Sequence, residues 1–116
     1  MADIEFRLRL SSDDFEPYYV RLAEAGDGAA LAFTENAETE EPGAAAIGAL
    51  RAGEVTHDTL YDRGNNVWFF RFKNTNGEVL FRSMPCPTEE VMEATIKRIL
   101  AQAGNAEVVD ERHASS

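Results

Sequence analysis

The chain has 116 residues, with 21 acidic against 11 basic side chains and a formal net charge of −10. That length suits one compact domain, burying roughly two-thirds of its unfolded surface, and no apolar run is long enough for a membrane-spanning helix. The acidic balance argues against nucleic acid, whose binding rests on cationic contacts that release counterions, unless bases cluster locally.

The N-terminus, Met1 to Glu5, lacks the basic start and apolar centre of a secretory signal. Cys86 is the only cysteine, so no internal disulfide can form; this suits a reducing compartment, and a cytoplasmic location is the expectation. From residue 3 to 10, Ile4, Phe6, Leu8 and Leu10 alternate with Asp3, Glu5, Arg7 and Arg9, which predicts a strand with one buried face. Ser11 to Asp14 reads as a turn. Tyr18, Val20 and Leu22 alternate with Tyr19, Arg21 and Ala23 in a second strand; Gly26-Asp27-Gly28 turns the chain into a third, Ala29 to Thr34.

Glu35, Glu38, Glu40 and Glu41 form an acidic loop. No His or Cys joins them and the calcium-loop spacing is absent, so a solvated connector is expected rather than a metal site. Pro42 fits the first turn of a helix to about Arg51, with Ala46, Ile47 and Leu50 inward and Gly53 as its stop. Glu54 to Asp62 reads as extended structure. His57 lies there beside Asp58, but neighbouring strand residues point to opposite faces, so no catalytic pair is expected.

Val67 to Ser83 is the clearest motif in the chain. Two runs rich in Phe and Val flank Asn76-Gly77, a strong signal for a tight hairpin. Trp68, Phe70 and Phe72 share one face; Val67, Phe69, Arg71 and Lys73 share the other. Pro85-Cys86-Pro87 is expected to end pairing, and Cys86, with no cationic neighbour in sequence, reads as an inert loop thiol. Thr88 is suited to cap a helix with Met92, Ile96, Ile99 and Ala103 along one stripe. Glu107 to Asp110 reads as a last short strand, and 111–116, with His113, as a frayed tail.

The two halves repeat. Arg71 follows Arg21 by 50 positions, and Phe72 follows Leu22 by the same offset; after the turn the offset is 49, placing Leu80 over Leu31, Ser83 over Thr34, Ile96 over Ile47 and Ile99 over Leu50. One extra residue in the first hairpin turn accounts for the change. The units are residues 1–53 and 54–110; residues 1–53 carry a net charge of −7 (11 acids, 4 bases) and residues 54–116 one of −3 (10 acids, 7 bases). A unit of ~50 residues buries too little to stand alone. The predicted fold is therefore α+β: two tandem βββα(β) units in one antiparallel sheet, both helices on one face, closing strands exchanged between units.

Phe70-Arg71-Phe72-Lys73, then Asn76-Gly77-Glu78-Val79-Leu80, then Ser83, resembles the YegP-like family of small uncharacterised bacterial and archaeal proteins. The resemblance implies the same two-layer fold and exchanged closing strands. The family has no established catalytic residues, so the resemblance carries over no activity, cofactor or metal.

With both helices on one face, the other face of the sheet is open. Tyr19, Arg21, Val67, Phe69, Arg71, Lys73, Val79 and Phe81 are expected there as a contact face for a protein partner or a second copy. The bland alternative is cross-strand pairing on a solvated sheet. A weak single-stranded nucleic-acid site, built on the same bases and aromatics, is the other reading. No phosphate loop, metal spacing or nucleophile elbow appears, and a non-enzymatic protein is expected.

Overall fold

The computed structural model describes residues 3–26 and 28–112. Asp27 of the first turn and His113 of the tail lie outside them. In chain order the elements are β1 (Ile4–Leu10), β2 (Tyr18–Glu24), β3 (Ala30–Phe33), α1 (Glu41–Ala52), β4 (Thr56–Asp62), β5 (Val67–Lys73), β6 (Val79–Ser83), α2 (Glu89–Gln102), a short 3-10 turn (Ala103–Asn105) and β7 (Glu107–Asp110). The strands form a single seven-stranded sheet in the order β4-β5-β6-β3-β2-β1-β7. Both helices pack on one face, α1 over β2 and α2 over β5.

The register makes the repeat explicit. In the first hairpin Arg21 faces Phe33 and Leu22 faces Ala32, then Ala23 faces Ala30 across a bulge. In the second, Arg71 faces Arg82 and Phe72 faces Phe81, then Lys73 faces Val79 across a bulge at the matching place. Residues 24–29 connect one hairpin and residues 74–78 the other, so the first connection does hold the extra residue. Tyr18 bridges Ala37 as Trp68 bridges Cys86. The halves meet at β3 and β6, where Ala32 faces Ser83.

Local chemistry sets the helix ends. Thr88 accepts a bond from the Val91 N–H at 3.1 Å on its hydroxyl, satisfying a donor that the first turn leaves over. Gly53 ends α1 in the left-handed region (φ 73°), with the Glu54 N–H reaching the Ala49 carbonyl at 3.0 Å. The core is apolar and continuous: Ile4, Phe6, Val20, Leu22, Ile47 and Leu50 from unit one meet Phe70, Phe72, Phe81, Met92, Ile96 and Ile99 from unit two. The Phe6 and Phe81 rings lie 6.2 Å apart.

Several expectations need correction. β7 pairs with β1 in parallel, not antiparallel, because the chain returns along α2 and the strand enters from the same end as β1. Only this closing strand crosses to the other unit; the segment after α1, residues 53–55, is no strand and leads straight into β4. The Asn-Gly turn is not a two-residue turn. Gly77 alone has positive φ there (83°), and the Asn74 side chain accepts from the N–H groups of Asn76 (2.9 Å) and Glu78 (3.0 Å), closing a wider loop. Cys86 is buried in the core and bonds Trp68 through both backbone groups at 2.8 Å. The tail is tied down at its start: the Glu111 N–H reaches the Leu8 carbonyl at 2.9 Å, and Arg112 pairs with Asp110 and Glu40.

Candidate contact face

Partners in a ladder share a face of the sheet. Following register from strand to strand, Asp58 faces Arg71, Arg71 faces Arg82, Arg82 faces Phe33, Phe33 faces Arg21, Arg21 faces Arg7 and Arg7 faces Val109. One row thus crosses all seven strands on the side away from the helices. It carries four arginines around a central phenylalanine.

Most of these bases are already paired. Asp58 receives Arg71 in a forked contact, Nε to Oδ1 at 2.9 Å and Nη2 to Oδ2 at 2.7 Å, and Lys73 Nζ at 2.8 Å. These three donors hold the Asp58 carboxyl well below the usual carboxylate range, Arg71 contributing most. Arg7 Nε donates to Glu5 at 2.7 Å, and its Nη1 reaches Glu111 at 3.0 Å. Glu111 also takes Arg9 at 3.3 Å. Arg82 pairs with Glu35 at 2.9 Å in the open. The Arg7 guanidinium lies against Gly28, where an added Cβ would come within 2.6 Å of it.

Arg21 stands apart. It is half-buried beside the central Phe33, and its Nε is buried with no hydrogen-bond partner. Tyr19 and Phe33 flank it, their rings 6.2 Å apart and tilted. Toward β4 the face dips into a depression lined by Leu60, Phe69, Arg71 and Arg82. Leu60 opposes Phe69 and is 64% exposed.

Of the residues expected on this face, Tyr19, Arg21, Val67, Phe69, Arg71 and Lys73 alternate with core residues and lie here. Val79 lies opposite Lys73, beside the bulge. Phe81 does not belong: it is 1% exposed and packs in the core. The bulge inserts one residue between Val79 and Phe81, so the two no longer share a side. The same shift puts Arg82 on the open face. Arg7, Phe33 and Asp58 were also missed, although the alternation of β1 already turned Arg7 outward.

His57 is exposed on the helix side of β4, its ring edge-on to Phe72 at 6.3 Å, while Asp58 points to the open side. Among the described residues no three His, Cys, Asp or Glu side chains gather as a metal-holding group, and no helix is long and apolar enough to cross a membrane.

Fold and face together define an α+β domain of two fused βββα units with an arginine-lined open sheet. Two solved structures share this fold. One is a UPF0339 protein from Shewanella oneidensis, with a TM-score of 0.80 at 16% identity, over 95% of this chain and 92% of that one. The other is yegP, a protein of unknown function from E. coli, with a TM-score of 0.79 at 19% identity, over 97% of both chains. No family model matches the sequence, and no curated protein does.

Proposed function

We propose that this chain is a two-unit relative of the YegP-like proteins. In this reading it acts as a non-enzymatic recognition module, its open sheet face taking a carboxylate-bearing segment of a protein partner. The observation that carries this is Arg21: a half-buried arginine opposite Phe33 on the open face, its Nε without an acceptor. A guanidinium with an unpaired nitrogen is disposed to take a carboxylate in a forked, charge-assisted contact. Around it Arg7, Arg71 and Arg82 already hold carboxylates, which supports a carboxylate as the ligand. Nucleic acid is the weaker reading, because phosphates would have to displace Asp58, Glu5, Glu111 and Glu35 from the bases they occupy.

The test is calorimetric titration with a glutamate-rich peptide and, separately, with single-stranded RNA at low salt. Binding of the peptide, weakened about tenfold by Arg21→Gln and untouched by Lys97→Gln on α2, supports the reading. Equal effects of both substitutions, binding of RNA alone, or no binding of either ligand overturns it.

A further inference from the structure

The repeat leaves the two outer edges of the sheet unequal. On one side β7 covers β1: Glu107, Val108, Val109 and Asp110 lie beside Glu5, Phe6, Arg7 and Leu8. The counterpart of β1 in the second unit is β4, since Phe6 faces Leu22 as His57 faces Phe72. Among the described residues nothing pairs with the outer side of β4. Exposure follows. Ile4, Glu5 and Phe6 of β1 are buried, whereas Thr56, His57, Thr59, Leu60 and Tyr61 of β4 are all exposed.

Natural sheets guard such edges with proline, lysine, a bulge or an inward charge. β4 has none of the first three: it pairs with β5 without interruption over seven residues, Thr56 to Asp62. Its one central charge, Asp58, is drawn inward onto Arg71 and Lys73. What remains is a straight row of unpaired backbone groups with Leu60 and Tyr61 exposed beside it.

We propose that β4 pairs antiparallel with β4 of a second copy, joining two sheets into one continuous fourteen-stranded sheet (7 + 7). Overlap and charge together select the register, since an axis near Thr59, the middle of β4, is needed to pair most of the seven residues. A two-fold axis normal to the sheet must pass through a residue, so that facing side chains share a side. Centred on Asp58, it would oppose two carboxylates; centred on Leu60, it would set Asp58 against Asp62. Centred on Thr59, it sets Asp58 against Leu60, His57 against Tyr61 and Thr56 against Asp62, with no like charges opposed. This pairing is isologous and closes at two copies. Each copy carries −10, so salt should strengthen the dimer as the screening length falls from ~10 Å at about 0.1 M to ~3 Å at about 1 M. The proposal is independent of the ligand assigned to the open face.

Sedimentation equilibrium of the full chain, as a concentration series at those two salt levels, tests it. A monomer–dimer equilibrium is expected, tighter at high salt. Thr59→Lys, at an exposed site, should weaken it at least about tenfold with circular dichroism unchanged. A second variant reads the register directly. Facing residues in an antiparallel pair sit roughly 4.5–5.5 Å apart at Cα, within disulfide reach. In a Cys86→Ala background, Thr59→Cys should cross-link under mild oxidation and Asp62→Cys should not. A monomer at every concentration, assembly beyond the dimer, a dimer indifferent to Thr59→Lys, or equal cross-linking at both positions overturns the proposal.

Discussion

The Phe70 N–H donates to the Ser83 hydroxyl at 2.9 Å. In the first unit the same bond runs from Val20 to Thr34 at 2.8 Å. A side-chain oxygen takes the donor just past the end of each hairpin ladder, and both units place a hydroxyl there. Ser83→Ala should cost about 1 kcal/mol, the usual worth of such a bond. Ser83→Thr should cost much less, because the other unit already holds threonine. Urea unfolding of the two variants measures the contrast.

Gly43 and Met92 occupy equivalent helix positions, 49 residues apart. Met92 is fully buried, whereas Gly43 lets α1 press close to β2. An added Cβ at Gly43 would meet Val20 Cγ2 at 2.8 Å, and the branched valine cannot turn aside cheaply. Beside this contact lies a cavity of about 230 Å³. Gly43→Ala should therefore destabilise by about 1 kcal/mol, overpacking outweighing helix propensity. Gly48→Ala meets nothing within 4 Å and should stabilise by roughly 0.5–1 kcal/mol. Thermal melts of both variants check the opposite signs.

Asp58→Asn removes the carboxylate charge shared by Arg71 and Lys73. The site is partly exposed, so about 1 kcal/mol is expected at neutral pH. The native carboxyl titrates below its unfolded value. Its contribution is complete above the ordinary aspartate pKa, near 4, and is lost as pH falls from there toward the lower native value. Denaturant midpoints of wild type and variant should converge between about pH 5 and pH 2. A gap that widens in acid would contradict the assignment.

Burial pushes the Cys86 thiol up from its ordinary value, and no cation offsets it. Thiolate is the reactive form. Labelling by an aromatic disulfide at neutral pH should be at least about a hundredfold slower than in the unfolded chain, and should accelerate with urea in step with unfolding. Fast labelling of the native protein would contradict a buried thiol.

Much of this architecture is legible in the order of residues. Alternation in β1 and β5, Thr88 before its apolar stripe and Gly53 after its own mark most elements, and the offset of 50 passing to 49 reports the longer first hairpin. Phe81 was legible as a strand residue but not by side. A bulge depends on how two strands settle against each other, and no single run of residues encodes it. The direction of β7 was hidden for a related reason: Glu-Val-Val-Asp can pair either way, and the geometry of α2 decides. Arg21 could be placed on the open face from alternation alone. That its Nε lacks an acceptor follows only from neighbours brought in from β1 and β3.

β7 pairs with β1 although both helices and every other strand lie between them in the chain. β1 is made before its outer neighbour, which follows only after α2. During translation the first unit therefore carries two open margins, one awaiting β6 and one awaiting β7. Closure of the sheet at β1 should therefore be a late and slow step of folding, because a long chain segment must be looped before β1 and β7 can meet.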